Sequence, residues 1–176
     1  MHELKVIYLT GQVVEQIVHP LTGEKMMELF VVERETAVST GSMSPTPITQ
    51  FDSIIGLLEA DVAEMDGTIT ITATWESLAP PTANHTLFVH LHPANDVDSQ
   101  PLAQLDVQPC FSTTLWQTGD LIRDHYHLAL PPELQNTGYA IALGWYTWPT
   151  YERLLLESNS SLDGNRYLLQ KSGIGE

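Results

Sequence analysis

Hydrophobic and polar positions alternate most regularly between Thr68 and Trp75, where four threonines are interleaved with Ile69, Ile71, Ala73 and Trp75. A period of two residues places the threonines on one face of an extended chain and the apolar residues on the other. The pattern predicts a half-buried β-strand, because β-branched residues suit a pleated surface. Such a strand needs a second layer of structure to cover its apolar face.

Similar short segments follow one another from residue 50 to residue 171, separated by turn signals such as Asp66-Gly67 and Pro131-Pro132. Strands are predicted at Phe51–Glu59, Thr68–Trp75, Thr86–His92, Leu102–Val107, Leu121–Leu130, Gly138–Tyr146, Glu152–Leu156 and Tyr167–Gln170. No amphipathic helix of useful length separates them, so the strands must pair mainly antiparallel. The predicted fold class is all-β, an antiparallel two-sheet sandwich of immunoglobulin-like or jelly-roll type.

The first part of the chain has a different character. Gln12–Val18 and Lys25–Glu33 are rich in valine, isoleucine and methionine and flank a Pro- and Gly-containing connection, which predicts a β-hairpin. Residues 36–49 are rich in Ser, Thr and Pro, as is typical of a linker or long loop. We therefore divide the chain into an N-terminal hairpin segment (1–35), a linker (36–49) and a β-sandwich domain (50–171).

The charge of the chain limits its partners. Seven basic residues stand against 22 acidic ones, a formal net charge of −15. Such a surface repels phosphate backbones and anionic lipid headgroups, which argues against nucleic acid as a partner. No stretch approaches the roughly 20 apolar residues of a membrane-spanning helix, so we expect no direct membrane insertion by this segment. The single cysteine, Cys110, excludes an intrachain disulfide.

Two pairs of histidines have the spacing of residues that share one face of a strand. His90 and His92 form one pair, and His125 and His127 form the other. Imidazole is a common ligand of zinc, so the four histidines are a candidate metal site. The alternation of the second strand, however, puts His125 and His127 opposite its apolar residues. The preferred interpretation is that these are surface histidines, and we predict no cofactor.

Asp124 falls on the apolar side of its predicted strand. An unpaired buried carboxylate is costly, so Asp124 needs a partner, and His90 is a candidate because it shares a face with Phe88. We interpret the His90–Asp124 pair as a buried structural contact. The alternative is a general-base pair. No nucleophile motif or Gly-rich phosphate loop accompanies them, which favours a protein that is not an enzyme.

Aromatic residues are densest between Trp145 and Tyr151. Trp145 continues an apolar alternation and is predicted to lie in the core, whereas Trp148 falls at a turn. Exposed aromatic rings at the rim of a sandwich stack on sugar rings, and carboxylates nearby accept hydrogen bonds from hydroxyl groups. Trp116, Trp148 and Tyr151 are therefore a candidate sugar platform. The alternative is that these rings close the open end of the sandwich.

The chain also carries an ordered series of short motifs: Phe88-Val89-His90-Leu91, Gln104-Leu105-Asp106 with Pro109, Thr113-Thr114-Leu115-Trp116, Gly119-Asp120-Leu121-Ile122-Arg123-Asp124, Leu130-Pro131, Gly138-Tyr139, Gly144-Trp145-Tyr146 and Glu152-Arg153-Leu154. Over residues 50–171 this series resembles the β-sandwich domain at the C-terminal, extracytoplasmic end of bacterial multi-spanning glycosyltransferase-like membrane proteins. The resemblance implies a β-sandwich and an extracytoplasmic location. No membrane helices accompany the motifs here, and a cytoplasmic location is the alternative.

Three functional hypotheses follow. The leading one is a non-catalytic accessory or binding domain of a cell-envelope glycosyltransferase-like system, with a protein or a glycan as its partner. The second is a metal-dependent enzyme, or a metal-binding sandwich, that uses the His-x-His pairs. The third is a purely structural protein-interaction module.

Overall fold

A computed structural model describes the backbone of four short N-terminal segments (5–6, 12–18, 25–31 and 37–38) and then residues 46–109, 111–135, 138–157 and 165–171. Cys110 and the connection of the predicted hairpin lie outside the described residues. Within the part of the chain that is described, no helix combines the length and hydropathy needed to cross a bilayer.

The described structure is built almost entirely from strands. They are β1 (Lys5–Val6), β2 (Gln12–Val18), β3 (Lys25–Val31), β4 (Ala37–Val38), β5 (Thr49–Phe51), β6 (Ile55–Met65), β7 (Thr68–Ser77), β8 (His85–Pro93), β9 (Ala103–Val107), β10 (Leu121–Ala129), β11 (Tyr139–Thr147), β12 (Glu152–Arg153), β13 (Leu156–Glu157) and β14 (Tyr167–Lys171). Two single turns of 3₁₀ helix, Thr113–Leu115 and Pro132–Leu134, lie in the connections.

The strands form two facing sheets. In the first sheet the order is β13-β5-β6-β7-β10, and β1 and β4 extend it beyond β10. In the second sheet the order is β12-β11-β8-β9, and β14 also pairs with β11. Pairing within the two sheets is antiparallel except between β1 and β10, which run parallel. The predicted all-β, two-sheet sandwich is confirmed.

The two sheets bury the apolar positions that the alternation indicated. Ile69, Ile71 and Trp75 on β7 are fully buried. Trp75 meets Trp145 of the other sheet edge to face, with ring centroids 5.1 Å apart. The Trp75 indole N–H donates a hydrogen bond to the Tyr126 hydroxyl over 3.0 Å. Aromatic contacts between the two sheets therefore stabilise the centre of the sandwich. The hydrogen bond satisfies the buried N–H of Trp75, which would be costly to leave without a partner.

Two predicted strands are divided in the structure. Phe51–Glu59 is interrupted by a turn at residues 52–54, where Asp52 and Ser53 adopt positive φ angles of 48° and 53°. This turn makes β5 and β6 an antiparallel hairpin. Glu152–Leu156 is also divided, because β12 pairs with β11 in the second sheet whereas β13 pairs with β5 in the first. The chain therefore passes from one layer to the other between residues 153 and 156.

The N-terminal hairpin is present as predicted. β2 pairs antiparallel with β3, with Gln12 opposite Val31 and Ile17 opposite Met27. The pairing contains two register irregularities. The division into an N-terminal segment, a linker and a sandwich domain stays a prediction.

Candidate functional site

A depression on the outer face of the second sheet brings together aromatic, acidic, basic and imidazole side chains. Leu87, Val89 and Leu91 of β8 point into the core, and the alternate residues point outward. The depression has a volume of about 270 Å³. Its lining comprises three aromatic rings, one imidazole, one carboxylate and one guanidinium, from Phe88, His90, Asp106, Tyr146, Tyr151 and Arg153.

The register of the second sheet explains why these residues converge. Phe88 on β8 lies between Gly144 on β11 and Asp106 on β9. Tyr146 on β11 lies opposite Arg153 on β12. Directly opposed residues share one face of an antiparallel sheet. Strands β8, β9, β11 and β12 therefore place five of the lining residues on the same face, and the turn before β12 adds Tyr151.

Small residues on β11 lie beside Phe88 and His90 on the outer face of the second sheet. Ala140, Ala142 and Gly144 alternate with the core residues of β11 and are buried. A Cβ atom built on Gly144 would lie 2.3 Å from Cζ of Phe88 and 2.8 Å from the Asn165 carbonyl oxygen. A side chain at position 144 would therefore displace the Phe88 ring or the backbone at Asn165.

A guanidinium and an imidazole both contact the Phe88 ring. The guanidinium carbon of Arg153 lies 4.6 Å from the ring centroid, a cation–π contact. The His90 ring also packs against Phe88, with ring centroids 4.8 Å apart. Burial lowers the pKa of His90, and the nearby Arg153 lowers it further, whereas Asp106 acts in the opposite direction. His90 thus favours the neutral form, which both donates and accepts hydrogen bonds.

The rim of the depression is aromatic. The Tyr151 ring stacks on Tyr146 with ring centroids 5.6 Å apart and an interplanar angle of 21°. Trp148 meets Tyr151 edge to face at 5.1 Å. Trp148 and Tyr151 remain 53% and 62% exposed. Burial raises the pKa of Tyr146, and the negative charge of Asp106 raises it further, so its hydroxyl stays a donor at neutral pH.

Backbone strain accompanies this rim. Tyr151 has a φ of 59°, a region that residues other than glycine rarely occupy. Its N–H donates to the Thr147 carbonyl over 2.8 Å, which closes the turn. Strained conformations of this kind occur preferentially at ligand-binding positions, where the surrounding structure enforces them.

Two of the three residues predicted as a sugar platform come together, and the third does not. Trp148 and Tyr151 are adjacent and exposed, whereas Trp116 is 1% exposed. The Trp116 indole N–H donates to the Phe111 carbonyl over 2.9 Å, and its ring packs edge to face on Trp145 at 6.0 Å. Trp116 is therefore part of the core, because its loop folds over the end of the sandwich.

The predicted contact between His90 and Asp124 is not formed. Asp124 lies on the inner side of β10 with Ile122 and Tyr126, and its cross-strand partner is Ala73. His90 lies on the outer side of the opposite sheet. Asp124 lies on the apolar side of its strand, as predicted. A layer of core side chains nevertheless separates it from His90.

The four histidines proposed as one metal site also lie apart. His90 and His92 belong to the outer side of the second sheet, and His92 is almost fully buried. His125 and His127 are exposed on the outer side of the first sheet. The whole thickness of the sandwich separates the pairs. Among the described residues, no group of three or more His, Cys, Asp and Glu side chains has an arrangement suited to a metal ion.

Four residues of the depression, Phe88, Asp106, Tyr146 and Arg153, were not among the predicted site residues. The sequence contained one signal for them. The alternate residues of β11 opposite its core positions are unusually small, which indicates that side chains of neighbouring strands lie over them.

Comparison with known proteins places few constraints on this site. No family model matches the chain, and no curated protein matches it. Among solved structures, the chain is similar to the crystal structure of a DUF3823 family protein from Bacteroides ovatus, with a TM-score of 0.42 and 14% identity over 84% of this chain. The alignment covers 66% of that protein. The resemblance to glycosyltransferase-like membrane proteins is not tested by these findings and stays a prediction.

Proposed function

We propose that the chain is a non-catalytic binding domain that recognises glycan in the depression on the second sheet. The observation that supports this most directly is the exposed pair Trp148 and Tyr151 at a depression that combines aromatic rings with an imidazole, a carboxylate and a guanidinium. Aromatic faces stack on the C–H faces of a sugar ring. The cavity volume of about 270 Å³ is just below the roughly 300–1,000 Å³ of small-molecule sites, so it suits a single small ring.

The polar groups of the cavity suit a ligand with many hydroxyl groups. Asp106 accepts hydrogen bonds, Arg153 donates them, and neutral His90 does both. Hydrogen bonds to charged groups are about twice as strong as those between neutral groups. A sugar ring presents hydroxyl donors and acceptors around its edge, so it would hydrogen-bond to the Asp106 carboxylate and the Arg153 guanidinium at the same time.

A purely structural role for the aromatic rim is the alternative explanation. A rim that closed the sandwich would be buried, as Trp116 is, whereas Trp148 and Tyr151 are more than half exposed. Their exposure supports a ligand surface instead.

The role in a cell-envelope glycosyltransferase-like system rests on the sequence resemblance alone. Under this proposal the domain would present or position substrate for a membrane-embedded partner. The genomic neighbourhood tests it. A reading frame for a multi-spanning transferase that is fused or adjacent to this one is expected, and the repeated absence of such a neighbour in related genomes would contradict this part of the proposal.

Tryptophan fluorescence tests glycan binding directly. Trp75, Trp116 and Trp145 are at most 1% exposed, so a ligand at the rim should change chiefly the emission of Trp148. Titration with a panel of oligosaccharides is expected to shift this emission for at least one member. Isothermal titration calorimetry with that glycan should detect binding to the wild type and to Leu115→Ala, and much weaker binding to Trp148→Ala and Tyr151→Ala.

Leu115 is a matched control because it is 57% exposed and lies in a different loop, outside the depression. No response to any glycan, or equal affinity in the wild type and the two rim variants, would refute the proposed ligand.

A further inference from the structure

A second group of outward-facing side chains lies on the first sheet, on the opposite side of the sandwich from the proposed glycan site. In the pairing of β7 with β10, His125 lies opposite Thr72 and His127 opposite Thr70. Both histidines are exposed, and their partners on β7 are the outward threonines of the regular alternation. The sheet therefore presents two adjacent Thr–His rows on one flat surface.

Each histidine is held by its threonine through the same ring atom. The Thr72 hydroxyl and His125 Nδ1 are 2.9 Å apart, and the Thr70 hydroxyl and His127 Nδ1 are 3.1 Å apart. With Nδ1 engaged, Nε2 is the atom left for a ligand in both rings. In the tautomer that carries its proton on Nδ1, each ring donates a hydrogen bond to the threonine hydroxyl and Nε2 keeps its lone pair for a metal. Histidines that bind metal commonly use the second nitrogen in this way, and the hydrogen bond orients the ring.

We propose that His125 and His127 together bind one divalent transition-metal ion such as Zn²⁺ through their Nε2 atoms. Residues two apart on a strand project from the same face, so both rings lie on the same side of the sheet, on neighbouring outward positions of β10. Imidazole is a good ligand for zinc, copper and nickel. Because the described residues offer no third ligand in a suitable arrangement, water completes the coordination shell.

The electrostatic surroundings favour a cation at this position. Asp61 on β6 lies opposite Thr72, so it belongs to the same row as His125. Arg123, the basic residue on this face of β10, lies 3.9 Å from the Glu59 carboxylate. The net charge of −15 adds a long-range attraction for cations. Thr70 and Thr72 are positioning residues in this proposal, because they orient the ligands without touching the metal.

Calorimetric titration with Zn²⁺ tests the proposal independently of any glycan. The wild type is expected to bind one ion per chain. His125→Ala with His127→Ala should abolish this binding. Thr70→Val with Thr72→Val should weaken it by about tenfold, the usual effect of removing an outer hydrogen-bond partner. Thr74→Val is the matched control, since Thr74 lies on the same face of β7 opposite Arg123 and should leave the affinity unchanged.

All five substitutions lie on the outer face of the sheet, so circular dichroism should show the same fold in every variant. In nitrogen-detected NMR, zinc should shift the Nε2 resonances of both rings in the wild type. Zinc binding of normal affinity in the double histidine variant would overturn the proposal, as would the failure of the wild type to bind zinc at all.

Discussion

The Tyr151 ring stacks on the Tyr146 ring, with centroids 5.6 Å apart. This contact joins a residue of the strained turn to a residue of the second sheet. The rim of the depression is consequently held in place by the sheet and does not depend on the turn alone. Rigid placement of an aromatic surface reduces the entropy lost when a ligand binds.

The positive φ of Tyr151 leads to a prediction about stability. Tyr151→Ala loses the stacking contact but keeps the strained backbone, whereas Tyr151→Gly loses the contact and relieves the strain. A left-handed conformation costs a residue other than glycine about 1–2 kcal/mol. We therefore expect the glycine variant to have a free energy of unfolding about 1 kcal/mol higher than that of the alanine variant.

Urea denaturation of the two variants measures this difference. Both variants should bind the glycan equally weakly, because both lack the ring. An alanine variant as stable as the glycine variant would show that the turn is not strained at Tyr151.

The contact between Gly144 and Phe88 leads to a second prediction. A methyl group on Gly144 would overlap the Phe88 ring, with 2.3 Å between Cβ and Cζ. Gly144→Ala should therefore lower the free energy of unfolding by about 1–3 kcal/mol, the usual cost of overpacking. It should also displace the ring that lines the depression, and so reduce glycan affinity.

A double-mutant cycle isolates this overlap. In a Phe88→Leu background the added methyl group has more room, so Gly144→Ala should cost less there than in the wild type. An equal cost in the two backgrounds would assign the effect to other neighbours, such as the Asn165 carbonyl oxygen, 2.8 Å from the new atom.

The buried His85 and His92 and the half-buried His90 predict that acid destabilises the fold. Burial is the largest cause that lowers the pKa of His85, His90 and His92 below 6.5. The unfolded chain therefore takes up protons on these residues at a higher pH than the folded chain does. Their stabilising contribution is complete above about pH 6.5 and is lost progressively as the pH falls towards the lowered values.

Urea denaturation at pH 7.5 and pH 5.5 measures this dependence, and the free energy of unfolding should be lower at pH 5.5. Glu76 acts in the opposite direction, because burial raises its pKa from 4.5. A His90→Asn variant separates the contributions, since it should lose less stability between the two pH values than the wild type. An equal loss in both proteins would show that His90 does not contribute.

Much of the fold followed from local pattern. The alternation of Thr68–Trp75 predicted which side chains of β7 are buried, and the alternation of Leu121–Leu130 placed His125 and His127 outside. The geometry of a pleated backbone points successive side chains to opposite faces. This two-residue period depends only on neighbouring residues and not on the rest of the chain. Turn residues such as Asp66-Gly67 marked a strand end for the same local reason.

The errors arose where local pattern carries no information about distant partners. Phe51–Glu59 has the composition of one strand, yet Asp52 and Ser53 take positive φ angles and reverse the chain. Trp116 belongs to a loop by sequence, but it is buried because that loop packs over Trp145. Both outcomes depend on contacts with residues far away in the sequence.

The sequence by itself determined the two-faced strands and the class of fold. The tertiary structure decided which outward residues meet. Phe88, Asp106 and Arg153 share a depression only because β9, β8, β11 and β12 are neighbours in one sheet, and His90 is separated from Asp124 because their strands belong to different layers. Strand order and register depend on how the two apolar faces pack together, and that packing is a property of the whole chain.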